Sequence, residues 1–186
     1  MKKIITLTAI LGFALASHAA SVAWSTVKLS FGETSLKNSS VNAYLVYLES
    51  GSLSDSYTFT ESFSAASIGK VVQSTDSVGK TAKAMGTFQF PSGTYNNGDS
   101  FGLLLSYTDS GKTYWNLSSV VNTLSGLDPD DTTVAPADWN DFTAGSTVSE
   151  SKTLSKGGGW VAAVPEPSTA MLALAGLALL IKRRRA

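Results

Sequence analysis

Between residues 20 and 155 apolar and polar side chains alternate with a period near two, and short Gly, Asn and Ser clusters interrupt the alternation. That is the pattern of half-buried strands joined by turns. Val27, Leu29 and Phe31 alternate with Lys28 and Ser30, and Val22 with Trp24 extends the run upstream after a register break at Ser25-Thr26, so a first strand is expected over 22–31. Residues 41–48 are apolar on both parities, with Ala43, Leu45 and Tyr47 on one and Tyr44, Val46 and Leu48 on the other, which places that strand in the middle of a sheet. Glu49-Ser50-Gly51-Ser52 turns the chain. Tyr57, Phe59 and Phe63 then share a face with Glu61, and further strands are expected over 68–73 and 82–90.

The clearest hairpin runs over 101–108 and returns over 113–117. Asp109-Ser110-Gly111-Lys112 forms its turn, with Gly111 free to take positive φ. Residues 118–124 fit either a continued strand or a helical turn, because Val120, Val121 and Leu124 also recur at helical spacing. From Leu127 to Phe142 the alternation stops in an acidic loop with Trp139 and Phe142 as aromatic anchors, and 143–154 supplies an edge strand. Lys156-Gly157-Gly158-Gly159 offers no side chain to pack and reads as the start of a Gly-rich linker over 156–163, pinned at its far end by Trp160. The expected fold is all-β: a single β-sandwich over 20–155, jelly-roll or immunoglobulin-like in architecture, flanked by a signal helix and a short C-terminal hydrophobic helix.

Both termini depart from the alternating pattern. Lys2 and Lys3, the apolar run Ile4 to Ala16, and the small residues Ser17, Ala19 and Ala20 have the three-part layout of a secretory signal peptide over 1–19. Signal peptidase and the general secretion machinery are therefore expected partners, with cleavage after Ala19 or one residue later. At the other end, residues 170–181 carry no charge. As a helix they would be about 18 Å long, against ~30 Å of bilayer hydrocarbon. Such a segment enters a membrane but spans it poorly, and the basic cluster Lys182, Arg183, Arg184 and Arg185 keeps its own end cytoplasmic, with the body outside. Pro165 and Pro167 donate no backbone hydrogen bond and hold their neighbours extended, which suits a protease substrate.

The order Val164, Pro165, Glu166, Pro167, Ser168, then an apolar stretch, then a basic cluster resembles the PEP-CTERM sorting signal. The resemblance covers 164–186 and leaves the body without a family. It implies an exosortase-type protease as partner, cleavage near Pro165–Ser168, an inner-membrane intermediate, and a final place at the cell surface or in the extracellular matrix. Proteins similar in this tail often accompany extracellular polysaccharide.

Composition narrows the chemistry. The body holds eight Lys against thirteen Asp and Glu, a net charge of −5, which disfavours nucleic acid as a partner. The chain has no cysteine, and its one histidine, His18, lies in the signal peptide. The body thus has no thiol nucleophile, no His-based triad and no His- or Cys-ligated zinc. Glu33, Glu49, Glu61 and Glu150 fall on different elements, so no glycosidase pair can be nominated. No enzymatic activity and no cofactor are expected. A weak calcium site is the best metal candidate, at Asp128, Asp130 and Asp131, but the register of an EF-hand is missing and a solvated loop explains them as well. Trp115 and Trp139 are the candidate sugar contacts, which keeps a carbohydrate-binding module as the alternative to a surface or matrix protein, and a small polysaccharide-active enzyme as the second alternative.

Overall fold

The computed structural model describes residues 20–60, 62–76, 78–91, 93–127 and 138–164. The expected helices over 1–19 and 170–181, Glu61, and the calcium candidates Asp128, Asp130 and Asp131 lie outside those residues. In chain order the strands are β1 Ser21–Thr26, β2 Ser30–Phe31, β3 Thr34–Ser35, β4 Val41–Leu48, β5 Ser56–Thr58, β6 Lys70–Thr75, β7 Met85–Gln89, β8 Ser100–Asp109, β9 Lys112–Leu117, β10 Asn122–Thr123, β11 Trp139–Phe142, β12 Val148–Ser151, β13 Thr153–Ser155 and β14 Trp160–Ala163. A 3-10 turn, Ala65–Ser67, lies between β5 and β6.

The large sheet has the order β12-β14-β9-β8-β4-β6, with β10 adding to β8 beyond the end of β9. Its centre is β8, which pairs antiparallel with β4 along eight residues and with β9 along six. Both parities of β4 and β8 are apolar because both faces of this sheet are covered. Val41, Ala43 and Leu45 with Phe101, Leu103 and Leu105 face one core, which a second sheet of order β11-β1-β7 closes through Val22, Trp24, Phe88, Trp139 and Phe142. Val46, Leu48, Leu104, Leu117 and Val161 face the other way, under a ribbon of β5 and β13 and the 3-10 turn, through Leu53, Ala65 and Leu154. The result is all-β, with two sheets packed as in a β-sandwich and a small outer cover on the large one. Two pairings are parallel, β1 with β11 and β12 with β14. They set the sheets apart from the wholly antiparallel layout that the jelly-roll and immunoglobulin-like expectation carried.

Local chemistry accounts for the turns that hold this register. The hairpin between β8 and β9 closes through Ser110 at φ 50° and Gly111 at φ 80°, two successive left-handed residues whose twist matches that of the strands. The break expected at Ser25-Thr26 coincides with a register shift between Trp24 and Thr26 against β11. Trp24 lies over its cross-strand neighbour Gly86, and donates from its indole to Gln73 on β6, tying the two sheets together along one edge. A Cβ at Gly86 would sit 2.8 to 2.9 Å from the indole atoms. Gly86→Ala is therefore expected to lower stability by about 1–3 kcal/mol, read as a lower denaturant midpoint at unchanged slope.

Three expectations need correction. Residues 156–163 are not a linker: Gly157 N–H donates to Leu117 O at 2.8 Å, and 160–163 form β14 in the interior of the large sheet, with Trp160 fully buried. The glycines serve geometry, since Gly157 and Gly159 have φ of 70° and 95°, and a Cβ at Gly159 would collide with Thr147. The folded unit accordingly runs past 155 to Ala163. The acidic loop ends early as well, because Trp139–Phe142 is a strand paired with β1. Residues 118–124, which fit either a continued strand or a helical turn by sequence, hold the short strand β10 at Asn122–Thr123.

Candidate functional site

The chain leaves the domain at a strand end. Within β14, Trp160, Val161 and Ala162 are buried, Ala163 is exposed, and the last described hydrogen bond runs from Val164 N–H to Ser151 O at 3.3 Å. Trp160 is fixed by its indole N–H, which donates to Ser30 O at 2.7 Å, and by edge contacts with Phe31 and Tyr107. Lys112 on β9 and Glu150 on β12 pair across β14, the strand between theirs. The hydrogen bond to Glu150 raises the Lys112 pKa. Both groups are exposed, so the pair adds little stability and serves to close the sheet over its exit strand.

From Val164 to the uncharged segment that begins at Ala170 there are six residues, which reach at most about 20 Å at ~3.3–3.6 Å each. The sorting residues Val164, Pro165, Glu166, Pro167 and Ser168 thus start at the domain surface, with no tether before them. Of these only Val164 is described, at 37% exposure. Pro165 to Ser168 and Lys182 to Arg185 lie outside the described residues.

Trp115 and Trp139, the sequence candidates for sugar contact, lie on different sheets, Trp115 on the outer face of the large one and Trp139 in the core between the two. Trp139 is 6% exposed and packs at 5.2 Å between ring centroids against Phe101, with Phe90 and Phe142 around it, so it offers no surface to a ligand. Trp115 is half-buried on the outer face, buttressed edge-on by Phe63 at 5.3 Å and tilted 31° from Tyr44 at 6.2 Å. Tyr44 is the aromatic that sequence reasoning missed in this role. Its partnership with Trp115 depends on β4 and β9 flanking β8.

The same face carries Asn42, Ser74, Asp76 and Ser106, since Asn42 pairs with Ser106, Ser106 with Trp115, and Tyr44 with Ser74. Asn42 Nδ2 donates to Ser106 Oγ at 3.4 Å. Asn42, Tyr44, Ser74, Thr75 and Asp76 line an open depression of about 380 Å3. On the inner face, burial first and then the Asp99 carboxylate raise the Tyr47 pKa, and burial with Tyr47 and Asp99 does the same for Tyr95. Those phenols stay neutral and have no part in the depression. Among the described residues no three His, Cys, Asp or Glu side chains converge as metal ligands would.

No curated protein and no solved structure matches this chain. Residues 163–186 match a family described as the PEP-CTERM protein-sorting motif, and the match begins at the last residue of β14. The chain therefore carries, from the end of its last described strand, a PEP-CTERM protein-sorting motif, the mark of an exported protein that is sorted at a membrane.

Proposed function

We propose that this is an exported, non-enzymatic protein of the cell surface or extracellular matrix. Its leader, 1–19, is removed by signal peptidase. Its apolar segment, 170–181, holds it at the membrane until an exosortase-type protease cuts near Pro165–Ser168. The observation that carries this reading is the junction itself, a sorting motif starting where β14 ends. A cut on the carboxyl side of Val164 leaves every described hydrogen bond of the body intact, including that from Val164 N–H, so the released domain keeps its stability. The short reach also confines the domain. Until the cut it stands within about 20 Å of the apolar segment, with the β14 end turned toward the membrane.

The test is the intact mass and terminal sequence of the protein recovered from cells and from medium. The expected product begins at Ala20 or Ser21 and ends between Pro165 and Ser168. A chain still ending at Ala186 in every fraction overturns the processing step and leaves a permanent anchor in its place.

A further inference from the structure

We propose that the open end of the large sheet's outer face binds a neutral polysaccharide, with Tyr44 and Trp115 as the stacking surface and Asn42, Ser74 and Asp76 as the hydroxyl-reading groups. The β5–β13 ribbon covers this face only in part. Where the cover ends, two half-buried rings lie side by side at 31°, and a row of short polar side chains continues outward from them. Phe63 packs edge-on against Trp115 and holds that ring in place. A pyranose has the matching chemistry, a C–H face that stacks on an aromatic ring and a rim of hydroxyls that amide and carboxylate groups bind. Hydroxyl bonds to a carboxylate are among the stronger neutral-ligand contacts.

The size of the depression, about 380 Å3, falls at the lower end of small-ligand sites and suits one or two sugar units of a longer chain. Its openness at the surface lets that chain run on in both directions. Charge decides between kinds of polysaccharide. Among the described lining residues only Asp76 is charged, it is exposed, and the body carries a net −5, so a uronic-acid polymer would be repelled where a neutral one is not. Export brings the site to such a ligand, but binding is a property of the domain, so a failed binding test leaves the sorting reading standing.

The experiment is affinity electrophoresis of the protein as recovered from the producing cells. The gels contain mixed-linkage β-glucan, xylan, galactomannan or dextran, with alginate as the anionic contrast. Retardation by at least one neutral polymer and none by alginate is expected. Asn42→Ala and Asp76→Ala should each weaken that retardation tenfold or more at unchanged melting temperature, and Trp115→Ala should abolish it. Retardation by alginate alone, by no polymer, or equally in all three variants overturns the proposal. The two polar variants keep the test decisive if Trp115→Ala also perturbs the fold.

Discussion

Ending the chain after Lys156 is expected to abolish folding of the domain, whereas ending it after Val164 is expected to leave a single cooperative thermal transition. The two chains differ by eight residues, four of which are β14. Those four lie between β12 and β9, and their loss strips both neighbours of a partner. Trp160 fills the inner core beside Phe31 and Tyr107, and removing a buried Trp side chain alone costs about 3–5 kcal/mol. Val161 fills the outer core, worth about 1.5–3 kcal/mol more. Domains of this size are stable by only ~5–15 kcal/mol, so losing both cores' contributions and two ladders leaves little or nothing. Far-ultraviolet circular dichroism and tryptophan emission against temperature distinguish the two outcomes. A cooperative transition in the chain ending at Lys156 would restore the reading of 156–163 as a tether. The result also bears on sorting, since only a cut beyond β14 releases an intact domain.

How far the sequence reveals this fold depends on whether each signal is local. The β8–β9 hairpin is legible because its two strands alternate and its turn is four residues long, with Gly111 where positive φ is needed. β4 is legible as a central strand because both of its parities are apolar, which only a doubly covered strand explains. The glycines at 157–159 are not. Freedom to flex and the need for positive φ beside another backbone select the same residue, and what distinguishes them is the approach of Thr147 and Gly145, which appears only once the chain has folded. The parallel pairing of β12 with β14 is equally remote from any period in the sequence. The candidate site divides along the same line. Its tail was readable from the order of prolines, apolar run and cations, and Trp115 from its type. Tyr44 was hidden as a candidate contact because two strands separate in sequence come within reach only through Ser106 on the strand between them.

Trp139 gives the sharpest contrast between a residue that looks like a ligand contact and one that supports the fold. It stands on a four-residue strand just beyond an acidic stretch, a setting that by sequence suggests an exposed ring. Its backbone instead pairs with Trp24 of β1, and its ring enters the aromatic cluster centred on Phe101, which also gathers Phe88, Phe90, Tyr95 and Tyr47. Trp139→Ala is therefore expected to cost about 3–5 kcal/mol through the cavity it leaves. For a domain of this length that is a fall of roughly 10–20 °C in melting temperature. Trp115→Ala removes a half-buried ring at the margin of the outer core and is expected to lower the melting temperature much less. Differential scanning calorimetry of the two variants against the parent reads both values. Equal and small shifts would place Trp139 at the surface and return it to the ligand-contact role. A large shift confined to Trp139→Ala makes any loss of polysaccharide retention in that variant a consequence of unfolding, and leaves Tyr44 with Trp115 as the pair whose substitution reports on binding.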